Sequence, residues 1–82
     1  MPYIHESKRK AFANKTICMS CAGDLNYLIT QLCQEYKELH GESYSTYNDI
    51  LGALEGAKLE LYRRKVAPYE DIKIKEHGDV WV

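Results

Sequence analysis

Apolar side chains recur along this chain at steps of three and four residues, the spacing that gathers them on one face of an α-helix. Leu25, Leu28, Ile29, Leu32, Tyr36 and Leu39 form the first such series and predict a helix over about residues 25–39. Asp24 reads as its N-cap and Gly41 as its left-handed stop. The second series is Tyr47, Ile50, Leu54, Ala57 and Leu61, flanked by Leu51 and Tyr62, and predicts a helix over about residues 47–66. Thr46, with Asp49 three residues on, resembles a capping box, and Pro68 reads as the end of this helix. A polar connection over residues 42–47 separates the two helices, which are expected to lie antiparallel.

The longer helix carries a second patch on its far side. Gly52, Gly56, Leu59 and Val66 share about a quarter of its circumference, beside Arg63. A glycine inside a helix costs roughly 1 kcal/mol against alanine, so two of them four residues apart suggest a close approach to that backbone. This face is therefore the expected interface of a homo-oligomer.

The remaining segments are short. Pro2 biases the opening Met1-Pro2-Tyr3-Ile4 toward an extended arm, and a lightly held helix is expected over residues 6–14. Residues 15–23 fit a short helix or a buried extended segment equally well. In the tail, Ile72-Lys73-Ile74-Lys75 alternates, Gly78-Asp79 offers a turn and Val80-Trp81-Val82 has high β propensity, so a hairpin is one reading. The other is a single helical turn ended by Gly78. A strand at residues 80–82 pairing with Tyr3-Ile4 would join the termini. Together these features predict a mainly α, small helical domain occupying residues 1–82, with a C-terminal hairpin or strand as an optional addition.

Length and composition narrow the functions. At 82 residues a chain sits near the lower limit for an adequate core of its own, which makes metal, disulfides or oligomerisation relevant. The formal net charge of -1 provides no field for phosphate backbones, which argues against nucleic-acid binding. No apolar run is long enough to span a membrane and the opening lacks the apolar core of a signal peptide, so a cytosolic location and no membrane partner are expected. Three cysteines, an odd number, do not suit a secreted disulfide framework.

Two constellations remain as candidates for chemistry. Cys18-x-x-Cys21 with Cys33 and one of His5, His40 or His77 has the ligand types of a zinc site. It lacks a second paired knuckle, and Cys33 fits the edge of the apolar stripe as a small buried thiol, so neither metal nor cofactor is expected. A redox role would need a depressed thiol pKa at a helix start, which the sequence does not offer. The second constellation joins tyrosines to cationic and amide groups: Asn26, Tyr27, Tyr47, Asn48, Lys58, Tyr62, Arg63 and Arg64, with Tyr44 and Tyr69 nearby. Tyrosine offers a flat face with a hydroxyl, and arginine a fork for phosphate or carboxylate, so this set suits a nucleotide-like anion or a protein partner. The bland alternative is that tyrosines cap a small core while Lys58 pairs with Glu55 along the helix. The histidines are scattered and expected in solvent, Glu70-Asp71 reads as capping the tail, and no acid–base pair nominates itself. A non-enzymatic binding protein is the expectation.

The frame Met1-Pro2-Tyr3-Ile4, Gly23-Asp24-Leu25-Asn26-Tyr27-x-x-Thr30, Tyr44-x-x-Tyr47-Asn48-x-x-x-Gly52-x-Leu54-Glu55-x-x-Lys58-Leu59-Glu60-Leu61-Tyr62-Arg63-Arg64 and Pro68-Tyr69-Glu70-Asp71 resembles a small family of phage and bacterial proteins of unknown function. The resemblance spans almost the whole chain, with His77-Gly78-Asp79 standing where such proteins often have Asn-Gly-Asp, and with Cys18 and Cys21 outside the frame. It implies a phage or prophage setting in a bacterial cytosol and an accessory role. The leading expectation is the sequestering of a small anionic, nucleotide-type signal. There Arg63, Arg64 and Lys58 would meet phosphate, Tyr47 and Tyr62 would stack, and Asn26 and Asn48 would read polar edges. The alternatives are an inhibitor or adaptor of a host protein, and a zinc-stabilised nucleic-acid-associated protein.

Overall fold

A computed structural model describes residues 4–13 and 17–81, and among them every regular element is helical. Four α-helices follow one another: α1 (Glu6–Ala13), α2 (Ala22–His40), α3 (Tyr44–Leu61) and α4 (Ala67–His77). The mainly α prediction holds. A π-helical turn, Tyr62–Val66, joins α3 to α4 without a break in the helical path.

The hairpin of α2 and α3 is set by its turn. Gly41 ends α2 at φ 81°, ψ 159°, and its N–H donates to the Lys37 carbonyl at 2.8 Å. That conformation is essentially glycine-only, but it is not the left-handed helical one that the sequence pattern suggested. Ser43 then caps α3, its hydroxyl accepting the Thr46 N–H at 3.1 Å. The cap thus lies three residues before the expected Thr46. Thr46 is buried as a result, and Asp49 is free to accept a hydrogen bond from Tyr36 of α2 at 3.0 Å. Asp24 is likewise not the cap of α2. Cys21 occupies that position in extended conformation, and the Asp24 carboxylate reaches back to accept the Ser20 N–H at 3.0 Å.

Pro68 does not end the helix. Its ring excludes the carbonyl four residues back and it has no N–H to donate, so an ordinary α-helix would be interrupted there. Here the wider turn absorbs the conflict, with the Ala67 N–H donating to the Tyr62 carbonyl five residues back, and Pro68 falls in the first turn of α4. The helical path consequently runs on to His77, where Gly78, at φ 85°, stops it. The alternating Ile72-Lys73-Ile74-Lys75 is therefore helical, which corrects the hairpin reading and lengthens the alternative of one turn to three. Val80 and Trp81 lie outside any strand. Pairing with Tyr3 and Val82 concerns positions outside the described residues, as does Asn14, the expected last residue of the first helix.

Residues 17–20 have no regular structure, so the described part of the segment left open between helix and extended chain is not helical before Ala22. The three histidines are exposed, as expected. Ile29, Leu32, Cys33 and Tyr36 of α2 face Asp49, Ile50, Ala53 and Leu54 of α3 across an open groove, bridged by the Tyr36–Asp49 hydrogen bond. α1 bears Lys10 and Glu6 in an i,i+4 ion pair of 3.4 Å and buries no residue. Among the described residues no hydrophobic side chain is buried at all.

Candidate functional site

The tyrosine, amide and cationic residues fall into two groups at opposite ends of α3. Tyr47 and Asn48 lie in its first turns, beside the hairpin, whereas Lys58, Tyr62, Arg63 and Arg64 lie at its far end. Tyr47 and Tyr62 are fifteen positions apart on one continuous helix, about 22 Å at 1.5 Å per residue. No nucleotide-sized ligand can be sandwiched between those two rings of a single chain. Asn26 and Tyr27 lie in the first two turns of α2, at the end of that helix away from the hairpin and so away from Tyr47.

At the hairpin end, polar side chains serve the fold. The Tyr47 hydroxyl donates to Glu42 at 2.7 Å, and Lys37 approaches the same carboxylate at 3.6 Å. The hydrogen bond from Tyr47, and then the Lys37 charge, lower the Glu42 pKa. The same contact raises the Tyr47 phenol above its ordinary value, and the bond to Asp49 raises Tyr36 similarly. The sequence pattern singled out neither the Tyr36–Asp49 nor the Tyr47–Glu42 pair. Tyr36 was visible only as a member of an apolar stripe, and Asp49 as a cap.

At the far end, several groups are already engaged. Lys58 pairs with Glu55 at 3.8 Å in the ordinary i,i+3 manner. Arg64 Nε lies 2.5 Å from Glu60 Oε1, an ion pair without hydrogen-bond alignment, and that oxygen is shielded from solvent. Asn26 accepts from the Thr30 hydroxyl through its carbonyl at 2.9 Å and its side chain at 3.3 Å. Glu70, by hydrogen bonding and charge, raises the Tyr62 phenol pKa. What remains open is the surface of the π turn, where Arg63, Arg64 and Lys65 line a concavity of about 430 Å³. Tyr62 and Tyr69 are more than half exposed on either side of it.

A second concavity, about 380 Å³ and almost wholly apolar, is the groove between α2 and α3. Cys33 lines it as a half-buried thiol, the place its position on the stripe predicts. Cys18 and Cys21 are exposed, and among the described residues no three His, Cys, Asp or Glu side chains gather as a cation site would require. On the glycine face, a Cβ built at Gly52 would meet nothing within 4 Å, and Leu59 is largely exposed. Val66 and Gly56 are half-buried. No described helix is long and apolar enough to cross a membrane.

The family described as a domain of unknown function, DUF6899, matches residues 1–80. The chain belongs to the DUF6899 family. No curated protein and no solved structure matches it. The DUF6899 match takes in both helices of the hairpin, the π turn and α4, so the geometry described above lies within the family domain.

Proposed function

We propose that this DUF6899 chain is a non-enzymatic accessory protein of phage type that engages a host protein through the exposed side chains of the α3–α4 junction. The observation that carries this reading is the arrangement of Tyr62, Arg63 and Tyr69 on a continuous helix, with both tyrosines more than half exposed beside an open cationic turn. Tyrosine and arginine are the residue types that dominate binding energy at protein interfaces, and a helix holds them at little conformational cost. Small-molecule sites instead bury most of the ligand in a concave, largely apolar pocket. The three-cation surface here is shallow, and Arg64 is already paired.

Affinity capture from a bacterial host lysate tests the reading. One stoichiometric partner is expected with the wild-type chain, and its loss with Arg63→Ala or Tyr69→Ala at unchanged helical content. Retention of the same partner by both variants would refute the assigned surface.

A second reading, sequestering of a nucleotide-type anion, is favoured by the run Arg63-Arg64-Lys65 on the wide turn, since arginine forks and lysine suit phosphate oxygens. Calorimetry with nucleotide second messengers decides it. Absence of heat, together with absence of a retained ligand in native mass spectra, removes it.

A further inference from the structure

Hydrophobic residues make up 45% of this chain, yet the described residues bury none of them. The accessible surface is 7712 Å². A compact folded chain of 9.5 kDa exposes about 5,000 Å². The radius of gyration of 16.8 Å is likewise well above the roughly 12 Å of a compact chain of this length. Each copy thus retains about 2,700 Å² that a self-contained domain of its size would have removed from water.

That excess decides what kind of contact covers it. A standard-size stable complex removes about 800 Å² from each partner and a transient one less, whereas obligate assemblies remove roughly 1,000 to 2,500 Å² from each and resemble a core cut in two. The excess lies at the obligate end. Its composition agrees, since Leu25 and Leu32 of α2 and Leu51, Leu54, Leu59 and Leu61 of α3 are between 38% and 64% exposed. On α3 the four leucines fall within about 160° of the circumference, a stripe of the width that a helix turns toward a core.

We propose that a second copy of this chain covers these leucine faces of α2 and α3, so that the hydrophobic core is built between copies of an obligate homo-oligomer, at the least a dimer. The deficit is one of folding, so the cover has to be present whenever the chain is folded. Another copy meets that condition, and a formal net charge of -1 lets copies approach without long-range repulsion. Symmetric pairing also presents each leucine face to its like. Leu51 and Leu54 lie two or more turns before the α3–α4 junction, whereas Leu59 is one turn from Arg63, so the cover over Leu59 adjoins the junction.

Sedimentation equilibrium and far-ultraviolet melting of the full chain over a 100-fold range of concentration test this. The expected mass is at least twice 9.5 kDa, with a melting midpoint that rises with concentration. Leu51→Lys and Leu59→Lys are each expected to weaken association by about tenfold or more, because each copy loses a buried leucine. In a solitary chain the same exchanges at exposed positions would leave melting nearly unchanged. A wild-type monomer with a cooperative, concentration-independent melt overturns the proposal, and so does an assembly that both lysine variants leave intact. Neither result touches the Arg63 and Tyr69 reading, which rests on capture of a foreign protein.

Discussion

Replacing Gly52 by alanine has opposite consequences for a solitary chain and for an assembled one. Gly52 lies inside α3 with ordinary helical dihedrals, and a Cβ built there meets no atom within 4 Å. In a solitary chain the exchange therefore adds no clash and removes the entropic disadvantage of glycine, a gain of about 0.5–1 kcal/mol. For a domain of this size that gain raises the melting midpoint by roughly 2–8 °C. If another copy approaches the helix across Gly52, the methyl group enters an occupied space instead. Overpacking costs about 1–3 kcal/mol at each site, and in a symmetric dimer the site occurs twice. Against the propensity gain, a net loss of about 1 kcal/mol per copy weakens a dimer by roughly 30-fold.

The assay is a pair of denaturant titrations at two protein concentrations with sedimentation equilibrium alongside. For Gly52→Ala we expect a lower midpoint, more strongly concentration-dependent than wild type, and a mass shifted toward 9.5 kDa. A variant more stable than wild type with an unchanged mass would refute the close approach at Gly52. It would also transfer the interface to the remaining leucine faces. The two cases differ in sign.

Other outcomes follow from the turn, the titrating pairs and the π segment. Ser43→Ala removes the oxygen that accepts the Thr46 N–H and should cost about 1 kcal/mol, read as a lower denaturation midpoint. Glu42 has a lowered pKa in the folded chain, so its contribution is present above the ordinary carboxylate pKa and is lost as pH falls through the folded value. Melting from pH 7 to 3 should show this loss, and Glu42→Gln should remove that part of the acid response. Tyr36 and Tyr47 have raised pKa values, so their contribution holds below the ordinary phenol value of 10.0 and fades as pH rises through the folded ones. Melting between pH 9 and 11.5 should decline, less so in Tyr36→Phe. Pro68→Ala restores a helical donor and should let the wide turn tighten to α-helix, turning Tyr69 relative to Tyr62, so capture of the foreign partner should fall at unchanged helical content.

The helices were legible because period and punctuation agree. The stripe from Leu25 to Leu39 and the glycine after His40 place α2 within a few residues of its observed ends. Boundaries set by one side chain were harder. Asp24, Thr46 and Asp49 are all good capping residues, and only the path of the chain shows that Cys21 and Ser43 hold the cap positions. Pro68 misled for a physical reason: its cost falls on the α hydrogen-bond pattern, and widening one turn removes it. The candidate site was legible as composition but not as distance. A helix that gathers residues on one side also spreads them along its axis, so Tyr47 and Tyr62 could look like partners while lying about 22 Å apart.

The same distance acquires a different meaning if copies pair. An antiparallel partner reverses the order of residues along α3, so the Tyr47–Asn48 end of one copy can approach the Tyr62–Arg64 end of the other. The residues that one chain separates could then meet across an interface. Calorimetry with a nucleotide should therefore be run both above and below the association midpoint of the wild-type chain. If an anion site needs residues from two copies, heat appears only above that midpoint, and the Leu51→Lys chain loses it although its arginines and tyrosines are untouched. Equal heat at both concentrations would place the anion on the π turn of a single copy and refute a site shared between copies.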